Sequence, residues 1–158
     1  MKNEKNEKNE FLFKHITEIS PVMEECLHSG KKVRLTVVGN SMFPLFSSRR
    51  DSVVLSEKKS YRKYDIIFYR RENGACILHR IVADRDGAFF LCGDNQTRLE
   101  YPVYPEQIMG AVEEFQRKGK TCSVRSFPYR LYTLFWCMIR PLRPALLSAA
   151  LKLRRMIK

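Results

Sequence analysis

The feature that most limits what this chain can fold into is a succession of short runs rich in Val, Ile, Phe and Tyr, at 33–38, 52–55, 64–70, 76–83, 88–92 and 108–115. Turn signals separate them at Ser47-Ser48, Asn73-Gly74, Asp86-Gly87 and Gly93-Asp94-Asn95. Asn-Gly and Asp-Gly accept the positive φ that tight hairpin turns demand, so the runs flanking each are expected to pair as antiparallel strands. The expected fold is mainly β, a compact coiled antiparallel sheet, and 158 residues provide for one such core rather than two. A helix is expected in front of it. Ile16, Ile19, Val22, Met23, Cys26 and Leu27 recur at helical spacing before a stop at Ser29-Gly30.

The two ends differ from this middle. Residues 1–10 repeat Lys-Asn-Glu with no apolar residue after Met1, cannot bury surface, and are expected to be disordered. Phe11-Leu12-Phe13 is followed at once by Lys14-His15, too short an apolar stretch for a secretory leader. From Arg117 to Lys158 there are eleven Lys and Arg and no acid, against a net charge of +12 for the whole chain. Leu131, Leu134, Phe135 and Met138 fall at helical spacing among these charges, with Tyr and Trp nearby, the composition of a helix lying in a membrane interface. The longest uncharged run there, Leu131 to Ile139, has nine residues, well short of the ~20 that span a bilayer. The organisation expected is a disordered 1–10, a β domain over 11–116 and a basic amphipathic helical tail over 117–158.

Three partners compete for that tail. Residues 125–158 lie on an anionic membrane surface, or Leu131, Phe135 and Met138 cover the β core, or the charge attracts nucleic acid. No nucleic-acid recognition motif is present, and the membrane surface is preferred. The place expected is therefore peripheral, at the cytoplasmic face of a membrane, with a C-terminally anchored or a soluble protein as alternatives. Five cysteines, an odd number without disulfide or zinc spacing, fit a reducing compartment. His15, Cys26 and His28 have no second ligand pair at zinc spacing, so neither metal nor cofactor is expected.

Chemistry centres on Gly39-Asn40-Ser41-Met42-Phe43-Pro44. An extended run arrives and turns sharply at Gly39-Asn40, and Pro44 stiffens the segment Met42-Phe43-Pro44, so Ser41 is presented on a held turn. A serine hydroxyl needs a neighbouring base, and His79, in the run Cys76-Ile77-Leu78-His79-Arg80-Ile81-Val82, is the candidate. A neutral imidazole, with a reference pKa of about 6.5, is a competent base at neutral pH.

The ordered series Gly39-Asn40-Ser41-Met42-Phe43-Pro44, Arg50-Asp51-Ser52-Val53-Val54-Leu55, Tyr64-Asp65-Ile66-Ile67-Phe68, Leu78-His79-Arg80-Ile81-Val82, Gly93-Asp94-Asn95 and Ile108-Met109-Gly110-Ala111-Val112 resembles the motifs of the type I signal peptidase family. His79 followed by Arg80 is similar to its serine–histidine branch, of endoplasmic-reticulum and archaeal type, and to short bacterial relatives. The resemblance covers about residues 33–115. It implies a coiled antiparallel β fold, a Ser41 nucleophile, a His79 base and hydrolysis of an extended peptide through an acyl-enzyme. Gly39 stands where some relatives carry an oxyanion-binding serine, which leaves the backbone N–H of Ser41 for that role. The acid that orients His79 is Asp94, Glu100 or absent. The contrasting function is a non-catalytic accessory or peptide-binding module on the same fold.

Overall fold

Among the residues described by the computed structural model, 16, 18–143, 145 and 146, the β-branched runs form an eight-stranded antiparallel sheet. Residues 1–10, His15 and 147–158, for which disorder, a metal ligand and a membrane-binding tail were considered, lie outside the described residues. The strands are β1 (Val33–Thr36), β2 (Ser52–Ser56), β3 (Ile66–Arg70), β4 (Cys76–Arg85), β5 (Ala88–Cys92), β6 (Glu100–Val103), β7 (Ile108–Arg117) and β8 (Lys120–Ser123). They run in the order β1-β2-β7-β3-β4-β5-β6. β7 serves two partners on one edge, β3 near Ile108–Ala111 and β8 over Glu114–Arg117, while β2 takes the other edge.

The turns agree with their sequence signals. Asp86 and Gly87 have φ of 51° and 79°, and Gly74 has φ of 81°, the left-handed backbone that tight hairpins require. Lys118 and Gly119, with φ of 50° and 80°, make the same turn between β7 and β8. β6 and β8 were not foreseen. β6 contains Pro102, which argues against a strand unless it lies at an edge, and β8 reads Lys-Thr-Cys-Ser with no apolar alternation. β7 and β8 thereby cross the point at which the basic tail was expected to begin.

The core lies on both faces of β3, whose first four residues are all buried. Because side chains alternate, Ile66 and Phe68 enter one cluster with Leu27, Phe46, Leu55 and Phe115, while Ile67 and Tyr69 enter a second with Ile81, Leu91 and Val103. Helix α1 (18–28) closes the first cluster. Gly110 admits it: a Cβ there would lie 3.2 Å from Leu27 Cδ1 and 3.1 Å from the Ser56 carbonyl oxygen. Arg70 Nη2 also donates to Glu24 Oε2 of α1 at 2.7 Å.

Helix α2 (Phe127–Met138) packs against the sheet in the opposite sense to that expected from Leu131, Phe135 and Met138 covering the core. Those three are exposed, as are Phe127 and Leu134, whereas Tyr129 and Thr133 are buried and Tyr132 and Trp136 half-buried. The reason is what lies beneath. Arg80 and Asp94, 0 % exposed, form a bidentate pair with Nε to Oδ1 at 2.9 Å and Nη2 to Oδ2 at 2.7 Å. Arg80 Nη1 then donates to Tyr129 Oη at 2.9 Å, to Thr133 Oγ1 at 3.3 Å and to the Tyr64 carbonyl at 3.1 Å. Desolvation disfavours the charge on Arg80, and Asp94 more than offsets it, so its pKa lies well above the usual value. A helix over a buried guanidinium must offer oxygen acceptors, and leucines cannot. Asp94→Ala is expected to lower the unfolding free energy by about 3–5 kcal/mol, read from urea titration, because it strands a buried cation. A loss under ~1 kcal/mol would mean that the remaining acceptors satisfy Arg80 by themselves.

Candidate functional site

Ser41 sits on the turn after β1, where Gly39 takes φ of 88°. Two groups of contacts hold that turn. On one side Gly39 N–H donates to Ser48 Oγ at 3.1 Å, Phe43 N–H to the Asn40 carbonyl at 3.1 Å and Phe46 N–H to the Met42 carbonyl at 2.9 Å. Buried Asp51 anchors the loop's far end, accepting from Ser47 N–H at 2.8 Å and from Lys118 N–H of the β7–β8 turn at 3.2 Å. On the other side the Gly93-Asp94-Asn95 turn presses against Ser41 itself. Asn95 N–H donates to the Ser41 carbonyl at 2.7 Å, and a Cβ at Gly93 would lie 2.6 Å from that same oxygen. Glycine is required there for the approach, not for its dihedral freedom.

His79 lies on β4 opposite Ile67, 2 % exposed, and lines with Ser41 a cavity of about 290 Å³ together with Val37, Asn40, Leu78 and Gln96. Ser41 and His79 form no hydrogen bond with each other, and among the described residues the Ser41 backbone N–H has no acceptor. Of the two candidate acids, Glu100 meets the imidazole. Its Oε1 is 2.9 Å from His79 Nδ1, at an angle too oblique for an aligned hydrogen bond. Asp94 lies with Arg80 instead. β4 explains the division: His79 and Arg80 are successive residues, so one points to the Ser41 cavity and the other to α2.

Glu100 is fixed at the start of β6 by further donors. Tyr69 Oη donates to its Oε2 at 2.5 Å, Arg71 Nε to Oε2 at 2.8 Å, and Arg71 Nη2 to Oε1. Burial opposes its ionisation, but the imidazole of His79 against it and the donors Arg71 and Tyr69 outweigh burial and hold the carboxyl well below its usual range. Burial first, and then the Glu100 carboxylate, push the Tyr69 phenol far up, so it stays a donor. Tyr69 and Arg71 escaped notice in the sequence. A signal existed: the Asn73-Gly74 hairpin pairs Arg70 with Cys76 and therefore Tyr69 with Ile77, placing Tyr69 on the face that His79 shares. The rings of Tyr69 and His79 lie 6.3 Å apart.

Arg71 and Gln96 line both the Ser41 cavity and a larger open groove of about 1040 Å³ between Asn73 and Tyr101. Among the described residues no group of acidic, His and Cys side chains can hold a metal, and all five cysteines are free. The chain matches no protein-family model, and no curated protein matches it either.

The lowered pKa of Glu100 has a signed consequence. The proton binds the unfolded chain more tightly, so the carboxylate's stabilisation is complete above its ordinary value of 4.5 and is lost as pH falls through the lower folded value. Wild-type stability is expected to decline more steeply below pH 4.5 than that of Glu100→Gln, in urea titrations run from pH 7 to pH 3. Parallel declines would show that the carboxylate is not held in this way.

Proposed function

We propose that this chain is a serine endopeptidase of signal peptidase type, with Ser41 as nucleophile, His79 as general base and Glu100 as the acid that orients the imidazole. The observation that carries the reading is that Ser41 and His79 line one small cavity while a carboxylate sits against the far ring nitrogen of His79. With Nδ1 facing Glu100, Nε2 is the nitrogen left to take the hydroxyl proton. Ser41 Oγ then attacks a peptide carbonyl, and the Ser41 N–H, which has no other acceptor among the described residues, stabilises the oxyanion. Collapse expels the amine, which takes the proton back from His79. Water, deprotonated by the same imidazole, then hydrolyses the acyl-enzyme.

The test is a fluorophosphonate probe with intact mass as the readout. Wild-type protein is expected to gain one adduct at Ser41, and Ser41→Ala none. His79→Ala is expected to lower the labelling rate by about 10²–10⁴-fold without unfolding the chain. Labelling of His79→Ala at the wild-type rate would remove His79 from the role of base. Absence of any Ser41 adduct would favour a non-catalytic module.

The same reading includes a place, the surface of an anionic membrane. No helix among the described residues is long and apolar enough to cross a bilayer. What supports attachment is the outward face of α2 and the residues after it: Phe127 is 76 % exposed, Met138 72 % and Leu142 60 %, beside Arg130 and Arg140. Apolar insertion and cationic attraction act together on such a face. Binding to vesicles containing phosphatidylserine is expected to weaken sharply between low and high salt. Failure to bind such vesicles at low salt would overturn this placement.

A further inference from the structure

We propose that Trp136 and Arg143, in and just after the C-terminal helix, are positioning residues for Ser41; the inference rests on the serine peptidase reading and extends it to regulation of that site. The segment between β5 and β6 carries the turn that touches Ser41 and leads into Glu100, the acid that touches His79, and within residues 93–99 it has no strand partner. Its own backbone contributes Gln96 N–H to the Gly93 carbonyl at 3.0 Å. The rest of its anchorage comes from elsewhere.

Asp94 is held through its carboxylate by Arg80 and, at 3.4 Å, by Tyr132 Oη, and through its carbonyl by Trp136, whose Nε1–H donates at 2.9 Å. Arg143, 1 % exposed, secures the clamp: its Nε and Nη2 donate to the Trp136 carbonyl at 3.1 and 2.8 Å, and its guanidinium lies 5.2 Å from the centre of the indole ring. Its Nη1 reaches the Gly93 carbonyl at 3.4 Å. One residue further on, Asn95 N–H holds the Ser41 carbonyl. The path from the tail to the nucleophile is thus Arg143, Trp136, Asp94, Asn95, Ser41, every step a hydrogen bond or a peptide bond. Whatever seats or lifts α2 therefore sets the alignment of Ser41.

The variant that isolates the clamp is Trp136→Phe, which keeps the ring stacked on Tyr132 and removes the single N–H donor. In full-length protein, two measurements are made: the fluorophosphonate labelling rate of Ser41, split into probe affinity and maximal rate, and hydrogen exchange at the Asn95 amide. The maximal rate is expected to fall about 10-fold or more with probe affinity unchanged, as a misaligned nucleophile requires, and the Asn95 amide to lose protection. Wild-type labelling with an equally protected Asn95 amide would overturn the proposal. If Trp136→Phe does not fold, Arg143→Lys against Arg143→Met decides. Lys keeps a donor toward the Gly93 carbonyl, so slow labelling in Met alone upholds the proposal and equal rates in both overturn it. Wild-type protein that never labels at Ser41 overturns the peptidase reading itself, a result distinct from labelled wild type with unaffected variants.

Discussion

The buried pair of Arg80 and Asp94 is the contact on which the rest of the molecule depends. Two charges taken out of water are tolerated only if nearly every hydrogen-bonding position around them is filled. Here the filling comes from three regions that are distant in sequence: the Tyr64 carbonyl before β3, the side chains of Tyr129 and Thr133 on α2, and Asp94 after β5. The ion pair thereby fixes where the turn at 93–95 can lie, and that turn in turn fixes the carbonyl of Ser41. Strand alternation places His79 immediately beside this pair in sequence and on the other face of β4, so the rigidity of one face is delivered to the Ser41 cavity on the other.

The same pair accounts for the unusual lie of α2. A helix that covers an apolar core turns its leucines inward, but this one covers a guanidinium and a carboxylate. It presents inward Tyr129, Tyr132 and Trp136, aromatic bodies with polar ends, together with the Thr133 hydroxyl, and leaves Leu131, Leu134, Phe135 and Met138 outside. Aromatic residues of this kind suit a surface that is dry yet polar. Leaving these apolar residues on the outside is the corresponding cost, with Arg130 and Arg140 flanking them.

Much of the sheet was legible because hairpin chemistry is local. Asp86-Gly87 and Asn73-Gly74 mark their turns whatever the rest of the chain does, and β2, β3, β4, β5 and β7 stand close to their apolar runs. β6 was hidden by Pro102, and β8 by its polar composition, since both are defined by a neighbour's free edge rather than by their own residues. The inner face of α2 was hidden for a different reason. Residues 129, 132, 133 and 136 and residues 131, 134, 135 and 138 both fall at helical spacing, and periodicity cannot choose between two stripes. At the site, Ser41 and His79 could be singled out by residue type, and the structure lines one cavity with both. The choice between Asp94 and Glu100 could not be made from spacing, because it turns on which face of β4 each acid approaches. Tyr69 and Arg71, which hold Glu100, required the hairpin register to be carried through to side-chain neighbours.

The pairing of β2 with β7 joins Ser52 to Gln116 across most of the sheet's length in sequence. Folds with such long-range closure assemble slowly, because loop entropy is spent before the contacts that repay it exist. On a ribosome the residues of the Ser41 turn emerge before their supports, which follow in order: the Asn95 amide, then Glu100, then the Lys118 amide on Asp51, and last the Trp136 indole. A nascent chain therefore carries the serine without the geometry around it until those supports follow, and the turn at 93–95 gains its last anchor only when α2 has left the exit tunnel.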